Sequence, residues 1–110
     1  MEQNAFLDFV GDTPANRILD FLLTGRGFDY SLSELSRKAG VSWTTLHRIF
    51  PRLVKQQIIA QTRTIGRAKL YQLNLKNLIV RKYAEVYDAI ILEQLRKAGE
   101  KETVKLCVSS

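Results

Sequence analysis

Basic side chains are concentrated in the middle of the chain. The 50 residues from Leu35 to Ala84 contain eleven Lys and Arg residues and no Asp or Glu, which gives this segment a formal charge of +11. The other 60 residues carry six basic and eleven acidic groups, which gives −5. A surface with a purely structural role usually mixes both signs, because like charges repel. The segregation therefore predicts contact with a polyanion, with nucleic acid well ahead of an anionic membrane, and the alternative is a solvated basic face without a partner. The eleven residues are Arg37, Lys38, Arg48, Arg52, Lys55, Arg63, Arg67, Lys69, Lys76, Arg81 and Lys82.

The remaining reactive residue types do not form a catalytic or metal-binding pattern. The sequence has one histidine, His47, and one cysteine, Cys107, which is too few for a metal cluster or an internal disulfide. It contains no glycine-rich phosphate loop, nucleophile elbow or His-Glu metal motif. We therefore expect no enzyme, and no bound cofactor or metal.

Length and composition are those of one small globular domain. The chain has 110 residues, of which 45% are hydrophobic. No run of about 18 apolar residues is present, so we expect no transmembrane helix and no membrane partner. The first residues, Met1 to Asn4, lack the basic and apolar regions of a signal peptide. The expected location is the cytoplasm, in association with the nucleoid.

Two predicted helices joined by a short turn lie inside the basic segment. Ser31 and Glu34 have the spacing of a capping box, and Gly40 ends the helix that they open. A second helix runs from Trp43 to about Gln56, with apolar residues at helical spacing. Two helices separated by a few residues that include glycine are typical of a helix-turn-helix.

The exposed face of the second of these helices has the side chains that read base edges. Arg48 has the two-donor fork that matches guanine O6 and N7, and Thr44 can donate a hydrogen bond or contact a thymine methyl group. We expect Arg52 and Lys55 to contact mainly phosphates. Trp43 either contacts DNA or packs against the preceding helix. The candidate residues are Ser42, Trp43, Thr44, Thr45, His47, Arg48, Arg52 and Lys55.

A β-hairpin is predicted after this helix. Ile58–Thr64 and Lys69–Asn74 have strand-like patterns, and the short connection between them contains Gly66. Phe28–Ser31 is a third short segment that can pair as a strand. A basic two-stranded wing can lie along a phosphate backbone and place an arginine in the minor groove. The alternative is an exposed hairpin that only improves solubility. The candidate wing residues are Arg63, Gly66, Arg67 and Lys69.

The predicted last helix is longer than a small domain needs. It extends from about Lys76 to Ala98 and is expected to end at Gly99. Its apolar residues cover more than one stripe, which favours self-association into a homodimer. The candidate interface residues are Ile79, Tyr83, Val86, Tyr87, Ile90, Ile91 and Leu95.

These elements predict an α+β, mostly α fold: a winged helix-turn-helix domain with a β-hairpin wing and a long C-terminal helix. The expected parts are a short N-terminal helix or arm (1–12), the winged helix-turn-helix domain (13–74), a dimerisation helix (75–99) and a flexible tail (100–110). Thr13 and Pro14 open the domain as a helix cap and a first-turn proline.

The segment from Gly11 to Asn74 resembles the archaeal winged-helix transcriptional regulators of the broad MarR/ArsR/PadR-like group. The resemblance covers 64 of 110 residues and rests on GDTPANRILDFLL, LSELSRKAGVSWTTLHRIFPRLV and TRTIGRAKLYQLN. It implies that the third helix of the domain, which is the helix from Trp43 to about Gln56, reads the major groove. It also implies that the wing contacts the flanking DNA backbone. It also implies a dimer formed by terminal helices. One departure is Gln57, which stands where the turn into the wing often has glycine.

The favoured function is a homodimeric protein that binds a specific double-stranded DNA sequence. Such a dimer would act as a transcriptional repressor or autoregulator by occluding a promoter, and its half-sites would lie one DNA turn apart. One alternative is a non-specific architectural or segregation-type protein that coats DNA. Another is a winged-helix module that binds an acidic protein. The sequence shows no ligand-sensing chemistry, so a small-molecule effector stays unassigned.

Overall fold

The computed structural model describes the backbone of residues 4–109 and the side chains of residues 4–99. Four helices are followed by a two-stranded antiparallel sheet and a long fifth helix. This arrangement confirms the predicted mostly helical α+β fold with a hairpin and a long C-terminal helix. The elements are α1 (Ala5–Val10), α2 (Pro14–Thr24), α3 (Leu32–Ala39), α4 (Trp43–Lys55), β1 (Ile59–Ile65), β2 (Ala68–Leu73) and α5 (Leu78–Ser109).

Local capping signals set most helix boundaries. The Thr13 side chain caps α2 by accepting a hydrogen bond from the backbone of Asn16. Ser31 and Glu34 form the predicted capping box of α3. Gly40 ends α3 in the left-handed conformation, with φ of 69°, which glycine adopts without the steric cost of a Cβ atom.

The core lies where α2, α3, α4 and the base of the hairpin meet α5. Its fully buried side chains include Ile18 and Leu22 of α2, Leu35 of α3, and Leu46 and Leu53 of α4. Val80 and Ala84 bring α5 onto the same core, and Phe6 brings α1. The core thereby fixes the helix-turn-helix against the start of α5.

The hairpin has a tight tip and one irregularity. Ile65 pairs with Ala68, so the loop consists of Gly66 and Arg67, and only Gly66 has a positive φ (61°), which is the pattern of a type II′ turn. The register shifts between Gln61 and Arg63, which leaves Thr62 as the extra residue of a β-bulge. The third strand expected at Phe28–Ser31 is reduced to a single bridge between Tyr30 and Tyr71.

The prediction that the last helix ends at Gly99 is wrong. Helix α5 begins at Leu78 and continues through Gly99 to Ser109, so it includes most of the segment expected to be a flexible tail. Glycine inside a helix costs only about 1 kcal/mol relative to alanine. Good helix formers such as Glu100, Lys101 and Glu102 follow it, and they offset that cost. Within the part of the chain that the structure describes, no helix is both long and apolar enough to cross a bilayer.

Candidate nucleic-acid interface

Helix α4 presents one polar face to solvent along its whole length. Leu46 and Leu53 anchor the opposite face in the core, and Ile49 and Phe50 pack beside them. The exposed residues Thr44, His47, Arg48, Arg52 and Lys55 share the outer face, as the helical spacing predicts. Helix α4 continues through the exposed Pro51.

The start of α4 is fixed by two hydroxyl groups. The Ser42 Oγ atom accepts a hydrogen bond from the Thr45 backbone at 3.2 Å and donates one to Thr45 Oγ1 at 2.8 Å. Ser42 is exposed and Thr45 is half-buried. Both residues were expected to contact DNA, and in the free chain their hydroxyl groups satisfy each other and hold the first turn in place.

Trp43 lies at the edge of this face and not in the core. Its side chain is 49% exposed, and its ring meets the His47 imidazole edge-on, with the ring centroids 4.3 Å apart. The ring also lines a groove with Leu32 and Ser33 of α3, and contact with DNA stays a prediction.

The tip of the hairpin lies beside Trp43. Arg67 and Lys69 line a shallow groove together with Trp43, Ser33 and Tyr71, so the wing and the start of α4 form one continuous surface. Sequence reasoning missed Ser33 and Tyr71. Tyr71 is an aromatic residue of β2, and its ring packs edge-on against Phe50 of α4, with the ring centroids 4.8 Å apart.

Most basic residues of the carboxylate-free segment have no ion-pair partner. Among the side chains of residues 4–99, three of the eleven are paired: Lys38 with Glu34, Arg63 with Asp29, and Lys82 with Glu85. The other eight have no carboxylate oxygen within 4 Å in that part of the chain and keep their full charge available to a ligand. They are Arg37, Arg48, Arg52, Lys55, Arg67, Lys69, Lys76 and Arg81.

Arg63 differs from the other candidate wing residues. Its Nε atom donates to Asp29 Oδ2 at 2.9 Å and its Nη2 atom donates to Asp29 Oδ1 at 3.2 Å. The Arg63 guanidinium and the Thr62 hydroxyl lower the pKa of the Asp29 carboxyl below its ordinary value. The structure therefore places Arg63 against its own chain, whereas Arg67 and Lys69 point to solvent.

The candidate interface residues of α5 fall into two groups. Tyr87 and Ile90 pack against the core of their own chain, and the Tyr87 ring lies 5.3 Å from that of Phe6. Ile79, Tyr83, Val86 and Leu95 are exposed, and Ile91 is half-buried. Ile79 is 70% exposed. Other large apolar side chains of α1 and α5 that are exposed, and that sequence reasoning missed, are Phe9, Leu78 and Leu92.

Phe9 of α1 extends the apolar surface of α5. It is 74% exposed and lines an open cleft of about 590 Å³ with Val86, Ala89 and Ile90. Exposed aromatic and aliphatic side chains of this size rarely cluster on a monomeric surface.

The structure was expected to hold no metal, and the His, Cys, Asp and Glu side chains bear on this expectation. Among the described residues, no group of three or more His, Cys, Asp or Glu side chains is placed to hold a metal ion. The Cys107 side chain lies outside the described side chains.

No family model matches the chain, and no curated protein matches it. Solved structures do match its fold. The transcription regulator MepR of Staphylococcus aureus superposes with a TM-score of 0.61 at 13% identity, over 94% of this chain and 78% of that one. The adhesin competence repressor AdcR of Streptococcus pyogenes gives 0.57 at 19% identity, over 86% and 76%. ZitR of Lactococcus lactis in complex with DNA gives 0.56 at 18% identity, over 84% and 69%.

These three proteins come from bacteria, so the archaeal part of the resemblance stays a prediction. The identities are too low to carry residue roles from one chain to another. The shared architecture nevertheless covers the helix-turn-helix, the hairpin and the long last helix. The chain therefore has the winged-helix fold of these transcription regulators.

Proposed function

We propose that this protein is a homodimeric transcriptional regulator that binds a specific sequence of double-stranded DNA. The observation that carries the proposal is the joint surface of α4 and the wing. Arg48, Arg52 and Lys55 on the helix, and Arg67 and Lys69 on the wing, point to solvent without ion-pair partners among residues 4–99. One of the proteins with the same fold, ZitR, has been solved with DNA.

The helix supplies the base contacts in this proposal. B-DNA admits an α-helix in its major groove, and α4 has an exposed polar face of the required length. Arg48 pairs with guanine and Thr44 contacts a neighbouring base. His47 and Trp43 line the same edge of the helix. Ser42 and Thr45 preserve the geometry of its first turn and lie close to a phosphate.

The wing and the end of the helix supply the contacts to the backbone. Arg67 is one of the two tip residues, and Gly66 allows the turn to be tight enough to enter a groove. Lys69, Arg52 and Lys55 neutralise phosphates on either side. Such contacts set the register of the protein on the duplex and carry no sequence information by themselves.

Self-association through α5 completes the proposal. Ile79, Tyr83, Val86 and Ile90 recur at spacings of four, three and four residues, which puts them on one side of the helix. Leu92 and Leu95 in the later part of α5 are 65% and 63% exposed, so a partner that covers them would bury apolar surface. A short isolated helix is marginally stable in water, and a second copy would stabilise it.

In the cell, such a dimer would bind a pseudo-palindromic operator and exclude the transcription machinery from a promoter, as a repressor or autoregulator. It would act in the cytoplasm, in association with the nucleoid. The proposed role is binding without catalysis.

Selection from random-sequence duplex DNA tests this function. Binding is measured by fluorescence anisotropy at several salt concentrations, and the bound fraction is sequenced. If each subunit neutralises about four phosphates, the log–log salt slope of a dimer is about −7. A steep slope with an enriched palindromic motif supports the proposal.

Two other outcomes contradict the proposal in different ways. A steep slope without a motif indicates a protein that coats DNA. Weak binding at low salt removes DNA as the partner and favours an acidic protein surface.

A further inference from the structure

The loop between α2 and α3 is bonded to both the wing and α5. We call residues 25–30 the brace loop. Its two charged residues, Arg26 and Asp29, each form a two-point ion pair with a different element. Neither pair is needed to explain the proposed contacts with DNA.

The wing side of the brace loop is held by Asp29. This carboxylate, 17% exposed, accepts two hydrogen bonds from Arg63 and one from the Thr62 hydroxyl at 2.6 Å. Consecutive residues of a regular strand point to opposite faces, so one carboxylate would not normally reach both. The β-bulge at Thr62 removes that alternation and brings both side chains to Asp29.

A backbone bridge reinforces the same connection. The Tyr30 N–H donates to the Tyr71 carbonyl and the Tyr71 N–H donates to the Tyr30 carbonyl, both at 2.8 Å. The brace loop is therefore joined to β2 by its backbone and to β1 by Asp29.

The other side of the brace loop is held by α5. Arg26 donates to Asp88 at 2.7 and 3.3 Å, and its guanidinium lies 5.7 Å from the centre of the Tyr87 ring. The Gln72 side chain donates to the Arg26 carbonyl at 3.3 Å. Arg26 therefore contacts α5 through its side chain and β2 through its backbone carbonyl.

We infer that the brace loop fixes the position of the wing relative to α5, and that Asp29 and Arg63 are positioning residues for DNA binding and not phosphate ligands. This inference rests on the proposed function. A bidentate guanidinium–carboxylate pair defines an orientation as well as a distance, so it restrains the β1 strand that leads to Arg67 at the wing tip. The spacing between α5 and the wing tip is set by the two ion pairs together.

The direction in which one substitution changes the affinity for DNA distinguishes the two possible roles of Arg63. If Asp29 braces the wing, Asp29→Asn weakens DNA binding about fivefold, although it removes a negative charge from a protein that binds a polyanion. If Arg63 is instead a phosphate ligand that Asp29 withholds, Asp29→Asn tightens binding. Tighter or unchanged binding overturns the inference.

The salt dependence and a double variant give a second criterion. Arg63→Ala leaves the salt slope unchanged if the residue is a brace, and makes it less steep by about 0.9 per subunit if the residue neutralises a phosphate. The double variant Asp29→Asn/Arg63→Ala is expected to lose no more affinity than one single variant, because both substitutions remove the same contact. Additive losses contradict the brace.

A measurement without DNA keeps the inference separate from the proposed function. Amide hydrogen exchange in β1 and β2 is expected to accelerate at least threefold in Asp29→Asn and Asp88→Asn, while exchange in α4 is unchanged. Glu85→Gln is the matched control, because it removes one carboxylate from α5 that pairs only with Lys82 on the same helix. Unchanged exchange in the wing of these variants overturns the inference even if the protein binds DNA. If the wild-type protein does not bind DNA, the proposed function fails, but the exchange measurement still tests the brace loop.

Discussion

The side-chain amide of Asn77 donates hydrogen bonds to the backbone carbonyls of Gln56 and Gln57, at 3.2 and 3.0 Å. Asn74 donates a further one to the Gln57 carbonyl at 3.0 Å. Residues just before α5 thus hold the turn that ends α4. In that turn the Ile58 N–H bonds to the Leu53 carbonyl and the Gln57 N–H to the Val54 carbonyl, which is the Schellman pattern.

Gln57 occupies a conformation that favours glycine. Its φ is 58°, the only positive value among the non-glycine residues that the structure describes. The departure from glycine noted at this position in the sequence leaves the turn formed but strained.

We expect Gln57→Gly to raise the free energy of unfolding by about 0.5–1 kcal/mol, because glycine adopts this φ without a Cβ clash. Urea denaturation measures the change. Gln56→Gly is the matched control. Gln56 has an ordinary φ of −80°, so glycine there only adds chain entropy and lowers stability. Equal effects of the two substitutions would contradict the strain at Gln57.

Trp43 is the single tryptophan of the chain and lies on the proposed interface. We expect its fluorescence emission to shift to shorter wavelength when duplex DNA is added, because the half-exposed ring loses contact with water. The titration should have the same midpoint as anisotropy of labelled DNA. Emission that does not change during saturable binding would place Trp43 outside the interface.

Arg48 and Arg67 are both exposed arginines, but the proposal gives them different roles. Arg48→Ala is expected to cost about 1–3 kcal/mol on the selected sequence and to relax preference at one base position. Arg67→Ala is expected to weaken binding to all sequences alike and to make the salt slope less steep by about 1 per subunit. Selection and salt titration on both variants measure the difference, and identical behaviour of the two would favour a protein that coats DNA.

The exposed apolar residues on one side of α5 predict which substitution prevents the proposed dimer from forming. Ile79→Asp is expected to convert the protein to a monomer in sedimentation experiments, because it places a charge in an apolar contact. Arg81→Asp introduces the same side chain at an exposed position on the opposite side of the helix and should leave the proposed dimer intact. Helical content by circular dichroism verifies that both variants fold. A dimeric Ile79→Asp protein would remove this side of α5 from the interface.

The Asp29–Arg63 pair predicts a dependence of stability on pH. The pKa of Asp29 is lowered in the folded state, so the pair stabilises the fold fully above the unfolded pKa of about 3.9. This contribution is lost as the pH falls through the lower folded pKa. The stability difference between the wild type and Asp29→Asn should therefore be constant from about pH 5 to 8 and shrink below about pH 4 in urea denaturation series. A difference that stays constant at low pH would show that the charge of Asp29 is not involved.

Local signals in the sequence predicted most of the fold. Thr13, the Ser31–Glu34 capping box and Gly40 act on backbone groups within a few residues, so their effects follow from spacing alone. Helix α5 shows the limit of such signals. Gly99 is a weak helix terminator, and the residues that follow it decide whether the helix continues.

The brace could not be predicted from the sequence. Asp29 and Arg63 are 34 residues apart, and they meet beside the bulge at Thr62 of the β1 strand. The bridged residues Tyr30 and Tyr71 are 41 residues apart in the chain. Contacts of this kind depend on the packed arrangement of whole elements, which no short sequence pattern specifies.

The uneven placement of charge has a consequence for the approach to a partner. Carboxylates lie on α1, the turn after it, α2, the brace loop, the start of α3 and along α5, whereas α4 and the hairpin have none. The molecule therefore has a permanent electric dipole. In the field of a polyanion that dipole exerts a torque, which turns the basic side forward before any contact is made. Productive encounters are then more frequent than random orientation allows, and added salt removes the advantage.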